Sequence, residues 1–377
     1  MPTLQAILQR HFKDYAQTKR LSVAQRRAGH ALSACRTARL GGHVSRCPNG
    51  HVERVWYNSC RHRSCPQCNA LARERWLAKM RSRLIECAHH HVIFTIPHEL
   101  NALWRLNTPV MMQALFAAVR ATLGELLEDS RYLGAQAGAL LALHTWSRAL
   151  ALHPHIHALV TDGGLSSAGV WVKPKRSHFL PARVVMMLFR GKLIAALRAL
   201  HRAGALRRPE SLSEAHFDRR LNRLGRVKWN VHIQARYAHG AGVSVYLARY
   251  VRGGALHNGQ IAGADDTSVR FRYRPHRAEE AMTMTLTPAS FLARVLVHAP
   301  EPRRHTVRYF GLYAARHSEA LNKARALHDQ APVLPPAPVS CEDFLARFPN
   351  AHDRLHCPTC GARLIRSARL APVRAPP

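Results

Sequence analysis

The segment Leu152-His153-Pro154-His155-Ile156-His157-Ala158-Leu159 alternates imidazole with other side chains. In an extended strand alternate residues share a face, so His153, His155 and His157 project together while Ile156 packs behind them. A single histidine in a strand is ordinarily satisfied by a hydrogen bond. Three on one face, followed by an apolar run and the turn Asp162-Gly163-Gly164, are better explained as ligands of a divalent cation. Imidazole favours Mn²⁺ or Zn²⁺ over Mg²⁺, and an added oxygen ligand or a substrate phosphate widens that choice.

A second pattern is Tyr246-Leu247-Ala248-Arg249-Tyr250. On a helix four residues advance about 400°, so both phenols share a face one turn apart. A phenol, with a pKa near ~10, is a weak nucleophile at neutral pH. A cation beside it makes a phosphodiester more electrophilic and stabilises the transition-state oxyanions. Together these parts can cleave a nucleic-acid strand through a covalent phosphotyrosine.

The cysteines form a third pattern. There are nine, an odd number, in a chain whose first residues lack the features of a secretory signal, so a disulfide framework is disfavoured. Cys35, His43, Cys47, His51, Cys60, His62, Cys65 and Cys68 fall within 34 residues. Cys65-Pro-Gln-Cys68 is a knuckle that can grip tetrahedral Zn²⁺, and Cys47-Pro-Asn-Gly-His51 supplies a second pair at suitable spacing. Cys47, His51, Cys65 and Cys68 are therefore the first-choice structural zinc site, with Cys35, His43, Cys60 and His62 as alternative ligands. Cys357-Pro-Thr-Cys360 is a further knuckle that Cys341, His352 and His356 can complete as a second zinc site. Cys87, beside an apolar strand, reads as a buried structural thiol.

The charge identifies the partner class. The 377 residues carry 56 Lys+Arg against 22 Asp+Glu, a formal net charge of +34 before any of 26 histidines protonates. Solubility explains a few units of charge, not this many. A peripheral membrane protein concentrates its charge in one helix or tail, whereas here it is spread along the chain. Nucleic acid is the polyanion that fits, and its binding is expected to depend strongly on salt. Residues 171–236 hold 16 Lys+Arg and 3 Asp+Glu. Lys173, Lys175 and Arg176 there, with Arg249 and Arg252 beside the tyrosines, are candidate phosphate contacts. The longest apolar runs fall short of a membrane span, and the expected location is the cytoplasm.

The elements that must position these groups follow from periodicity. Residues 71–85 carry a helical apolar stripe, HVIFTI reads as a strand ended by Pro97, and residues 107–127 as a helix. Strands are expected over 139–146 and 153–161. A basic helical stretch follows over 182–224, then a strand over 229–237 and a helix over 242–252 stopped by Gly253-Gly254. Strands over 269–274 and 282–286 and helices over 288–298 and 311–327 complete the pattern. Interleaved elements without regular βαβ alternation predict an α+β fold around a mainly antiparallel sheet. Three regions are expected: a helical and zinc-binding module over 1–88, a catalytic domain over 89–330, and a proline-rich linker with a C-terminal tail over 331–377.

The chain resembles the rolling-circle transposases of the insertion-sequence ninety-one family, within the histidine–hydrophobic–histidine (HUH) nuclease superfamily. The resemblance covers nearly the whole sequence. It rests on CRTARLGGHVSRC, YNSCRHRSCPQCNALARERW, HHHVIFTIPHEL, HTWSRALALHPHIHALVTDGGL, VYLARYVRGGAL, VRFRYRPHR and MTLTPASFLARVLVHAPEPRRHTVRYFGLYA. The HUH motif falls on His155-Ile156-His157 and the paired tyrosines on Tyr246 and Tyr250. Gly50 and Ser64 depart from many relatives, which carry Cys and His there. The resemblance implies an HUH-type central antiparallel sheet carrying the histidines, flanking helices that carry the tyrosines, and a small zinc-binding module in front. It implies Mg²⁺ or Mn²⁺ at the catalytic site and attack by one tyrosine on single-stranded DNA at an element end. The product is a 5′-phosphotyrosine with a free 3′-hydroxyl, and strand transfer needs no ATP. His153 by geometry and His144 by proximity in a hairpin are candidates for a third cation ligand. The rival readings are a histidine-triad nucleotide hydrolase or transferase, with a histidine nucleophile, and a non-catalytic zinc-dependent nucleic-acid-binding regulator. Neither uses all of the histidines, tyrosines, cysteines and charge.

Overall fold

The computed structural model describes residues 2–174, 179–234, 236–238, 254–275, 278–348 and 352–373. The expected helix over 242–252, with Tyr246 and Tyr250, lies outside the described residues, as do Lys175, Arg176, Arg249 and Arg252.

The N-terminal part opens with α1 (Leu4–Thr18) and α2 (Val23–Ser33), followed by the hairpin β1 (Gly42–Arg46) and β2 (Glu53–Tyr57) and by α3 (Ala70–Arg81). Thr3 caps α1, and Ser22 with Gln25 makes a capping box at α2, satisfying amide groups that open every helix. The central part begins with β3 (His89–Thr95), α4 (Asn101–Leu106), α5 (Thr108–Glu128), β4 (Gly138–Trp146) and β5 (Leu152–Thr161). The short pair β6 (Gly164–Leu165) and β7 (Trp171–Val172), α6 (Ala182–Arg202), α7 (Glu214–Leu224) and β8 (Val231–Ile233) follow. Then come β9 (Ile261–Ala264), β10 (Val269–Tyr273), β11 (Met282–Leu286), α8 (Pro288–Leu296), β12 (Val307–Gly311), α9 (Ser318–Ala326) and finally β13 (Ile365–Leu370).

Five strands form the central sheet in the order β12-β4-β5-β3-β8, with every pairing antiparallel. β4 and β5 are buried along most of their length, which explains why their sequence is apolar on both faces. One face carries Leu141, Ile156, Ala158, Val92 and Phe94 and packs on α5 and α6. α5 is long and apolar enough to cross a membrane, but its apolar residues, including Leu115, Val119 and Leu123, belong to this core. The opposite face carries Leu140, Ala142 and Leu159, covered by Leu77 and Met80 of α3 and by Leu321 and Ala324 of α9. Its other end carries the histidines. The fold is α+β with a central antiparallel sheet, as expected.

Local differences have local causes. The basic stretch over 182–224 is two helices separated by a connection with Gly204 at φ +66°. Among the described residues, the strand expected over 229–237 comprises β8 and a further bridge from Tyr237 to His89. The expected helix over 311–327 begins only at Ser318, because Val307–Gly311 is a strand against β4.

The termini are joined. β13 pairs with β1 from Gly42↔Leu370 to Arg46↔Ile365, making the sheet β13-β1-β2. A separate core joins Leu4, Leu8 and Phe12 of α1 to Phe271 of β10 and to Phe291 and Leu292 of α8. The first helices thus pack on a segment more than 250 residues downstream.

Candidate functional site

The register of β4 and β5 places His144 opposite His155 and Ala142 opposite His157, so the three imidazoles share one face. Their ligand atoms all lie within 4.8 Å of one another. His153, half-buried with its ring centroid 5.1 Å from that of His155, is not part of this group. The strand register shifts between His144 and Trp146 at that end of the hairpin, and the indole of Trp146 stacks on His144 at 4.4 Å. His144 therefore occupies the position that strand alternation alone suggests for His153.

The hydrogen bonds around the cluster orient the rings. His155 Nδ1–H donates to the carbonyl of His153 at 2.6 Å. Gln234 Oε1 accepts from Tyr237 Oη at 2.9 Å and from His91 Nδ1 at 2.7 Å. His91 Nε2 is then the acceptor for His157 Nδ1–H at 2.8 Å. Both Nδ1 atoms being engaged as donors, the Nε2 atoms of His155 and His157 face each other at 3.0 Å as lone-pair donors. Two nitrogens ~2.1 Å from one ion are separated by ~3.0–3.4 Å, so the spacing suits a shared cation. Burial holds these groups neutral. It lowers His155 to about 3, with His144 and His153 adding repulsion, and drives His157 far below the ordinary imidazole range. Burial likewise lowers His91 to about 4.

His91 and Gln234 are absent from the sequence expectations. His91 sits in HHHVIFTI, whose apolar run marks the strand without revealing which histidine turns toward β5. Gln234 lies just past β8 and meets His91 only through the β3–β8 pairing. Cys87, just before β3, is buried, and that burial pushes its thiol up to about 12. It is a structural thiol in character.

The cysteines fall into two groups, and this corrects the expected set. Cys65 and Cys68 lie with Cys35 and Cys60, while Cys47 and His51 lie with Cys357 and Cys360. The first-choice combination of Cys47, His51, Cys65 and Cys68 is thus split, because β13 brings the second knuckle beside β1 and occupies the place opposite Cys47 and His51. His43, on β1, and His62 belong to neither group, and neither does Cys341, which is exposed. In the four-cysteine group, Cys60 Sγ lies 3.7 Å from Cys68 Sγ and Cys35 Sγ 3.6 Å from Cys65 Sγ. A disulfide requires ~2.05 Å. Four sulfurs ~2.3 Å from one tetrahedral zinc are separated by ~3.8 Å, so this donor set fits zinc.

A cleft of about 320 Å³ is lined by Arg61, Arg63, Arg73 and Trp76 from the cysteine-rich part and by His305 and Tyr309 from the other wall. Arg73 Nε is buried with no hydrogen-bond partner among the described residues. Thr306, also in the wall, accepts from Leu143 N–H at 2.8 Å, one residue from His144. Guanidinium groups beside an indole and a phenol suit phosphates and stacked bases. Of the expected phosphate contacts, Lys173 is described, and it is exposed just after β7.

Comparison with known proteins places the chain among transposases. The sequence pattern of the family described as "Putative transposase" matches residues 138–320, which span His144, His155 and His157. That of the "Transposase zinc-binding domain" matches residues 7–96, which span the four-cysteine group. The "Putative transposase y4qJ" of Sinorhizobium fredii is 34% identical over 95% of this chain and 93% of its own length. The "Transposase for insertion sequence element IS801" of Pseudomonas savastanoi pv. phaseolicola is 30% identical over 90% of this chain and 82% of its own length. No solved structure matches.

Proposed function

The chain belongs to the insertion-sequence ninety-one family of transposases, and from that membership we propose that it cuts and rejoins single DNA strands through a phosphotyrosine, driving rolling-circle transposition. The observation that carries this reading is the buried trio His144, His155 and His157, with the Nε2 atoms of His155 and His157 aimed at one point. These residues would hold Mn²⁺ or Mg²⁺. When bound, that cation polarises the scissile phosphodiester and offsets charge on its oxygens.

Tyr246 and Tyr250 are the proposed nucleophiles. The Oη of one attacks phosphorus and gives up its proton. The bond from phosphorus to the 3′-oxygen breaks, and that oxygen takes a proton and leaves as a 3′-hydroxyl. The tyrosine is left esterified to the 5′-phosphate. One phosphodiester has replaced another, so rejoining by an incoming 3′-hydroxyl needs no ATP. The second tyrosine permits another cleavage while the first is occupied. Chain connectivity supports this assignment. Tyr237 pairs with His89, its ring lies 6.0 Å from that of His91, and it precedes Tyr246 by nine residues. Nine residues reach at most ~32 Å and the thirteen to Tyr250 at most ~47 Å, so the connection permits either phenol to approach the histidines.

Cys35, Cys60, Cys65 and Cys68 are the proposed ligands of the structural zinc in the zinc-binding domain. The cleft between that domain and β12 is the proposed path of the strand, with Arg61, Arg73 and His305 on phosphates and Trp76 against a base.

The test is incubation of the protein with labelled single-stranded element-end DNA and Mn²⁺ or Mg²⁺, followed by mapping of the adducted residue. A metal-dependent adduct on Tyr246 or Tyr250, lost when both are changed to Phe, is expected. Adducts that persist in that double variant, or a linkage through imidazole, would overturn the mechanism.

A further inference from the structure

We propose that Cys47, His51, Cys357 and Cys360 hold a second zinc ion, which clasps the C-terminal strand onto the zinc-binding domain. The matched zinc-binding pattern ends at residue 96 and contains only the first two of these residues. The other two arrive from more than 300 residues downstream, beyond the proline-rich stretch over 331–338.

The two halves are built alike. Cys47 N–H donates to the carbonyl of Val52 at 2.9 Å, and Cys357 N–H donates to that of Ala362 at 2.8 Å, closing a six-residue loop in each. Each loop turns on a glycine in the left-handed region, Gly50 at φ +76° and Gly361 at φ +71°. The pairing of β13 with β1 sets the loops face to face. Cys47 Sγ then lies 3.5 Å from Cys360 Sγ, and His51 Nδ1 lies 3.7 Å from Cys47 Sγ and 3.9 Å from Cys357 Sγ.

These spacings discriminate between explanations. A disulfide between Cys47 and Cys360 needs ~2.05 Å. A tetrahedral zinc with sulfurs at ~2.3 Å and a nitrogen at ~2.1 Å separates its ligands by ~3.6–3.8 Å. The backbone N–H of Asn49 points at Cys47 Sγ at 3.4 Å, and its side-chain amide at Cys360 Sγ at 3.5 Å. Both are donors placed to stabilise thiolates. Three thiolates and an imidazole are a soft donor set that selects zinc over the hard cation proposed for the histidine trio. The clasp also accounts for the survival of a short outer strand. β13 has β1 as its strand neighbour and most of its residues are exposed, so little apolar burial holds it.

The test begins with zinc content per full-length chain, measured by elemental analysis. Two ions are expected in the unaltered protein and one in the Cys357→Ser, Cys360→Ser double variant, with a Cys341→Ser control retaining two. One ion in the unaltered protein, or no fall in zinc content in the double variant, would overturn the proposal. Should the double variant fail to fold, the unaltered protein still decides. Cys360 and Cys341 are both exposed, so alkylation distinguishes them by metal protection alone. Cys341 is expected to react at once and Cys360 only after zinc is chelated. Equal, chelator-independent reaction at both positions would refute the site.

Discussion

His91→Phe isolates the contribution of the imidazole that orients the candidate cation ligands. The substitution keeps a flat ring on β3 while removing the acceptor 2.8 Å from His157 Nδ1. His157 is only 4% exposed, so water cannot readily replace that partner. A buried donor left without an acceptor costs about 1–3 kcal/mol. The simplest relief is transfer of the proton to Nε2, which consumes the lone pair facing His155, or rotation of the ring. Either reduces cation affinity, and loss of such an orienting partner typically weakens binding about 10–100-fold, or ~1.4–2.7 kcal/mol. The assay is Mn²⁺ titration of the full-length variant, following the free ion by electron paramagnetic resonance. Thermal unfolding and single-stranded DNA binding are measured in parallel. Gln234→Leu, which leaves His91 Nδ1 without its 2.7 Å acceptor, is expected to shift the affinity in the same direction by less. A folded His91→Phe protein whose Mn²⁺ affinity lies within twofold of the original would refute the orienting role.

Two further perturbations test other parts of the molecule. Arg61→Ala with Arg73→Ala should weaken single-stranded DNA binding and flatten the dependence of log affinity on log salt by ~1.4, about 0.7 for each lost phosphate contact; an unchanged slope would remove the cleft from the DNA path. His298 is lowered to about 4 by burial, with its nitrogens engaged by Thr145 Oγ1 and the Leu150 carbonyl. The unfolded chain, with an imidazole pKa near ~6.5, binds the extra proton first, so stability is full above that value and falls as the solution is acidified toward pH 4. At pH 5 this one group accounts for up to about 2 kcal/mol, and His298→Gln should lose correspondingly less stability between pH 7 and 5 in urea unfolding.

Much of the central domain was legible because its signals are local. The apolar runs of β4 and β5 and the imidazole alternation at His155 and His157 are patterns within ten residues, and the sheet is built on them. The missing parts are those whose partners are remote. β12 carries no expected element except at Gly311, where the expected helix begins, because the ladder that makes Val307–Gly311 a strand is supplied by the remote β4. His144 joins the trio because the β4–β5 pairing sets it opposite His155, a cross-strand placement that no periodicity reveals. The cysteines were recognisable as metal ligands by type and density, but their grouping depends on β13, since Cys47 finds Cys360 only when the last strand docks on β1. The arginine-lined cleft draws on residues 61–76 and 305–309, which carry no joint signal along the chain.

The docking of β13 has a cost for shortened copies of this protein. A chain ending in the proline-rich stretch would keep the histidines, both tyrosines and the four-cysteine group. It would nevertheless turn β1 from an inner strand into an open edge, with the amides and carbonyls of Val44 and its neighbours unpaired on one side. Open edges recruit strands from other molecules. Truncated products are therefore expected to self-associate through β1, and their insolubility would reflect a missing strand rather than a damaged catalytic core.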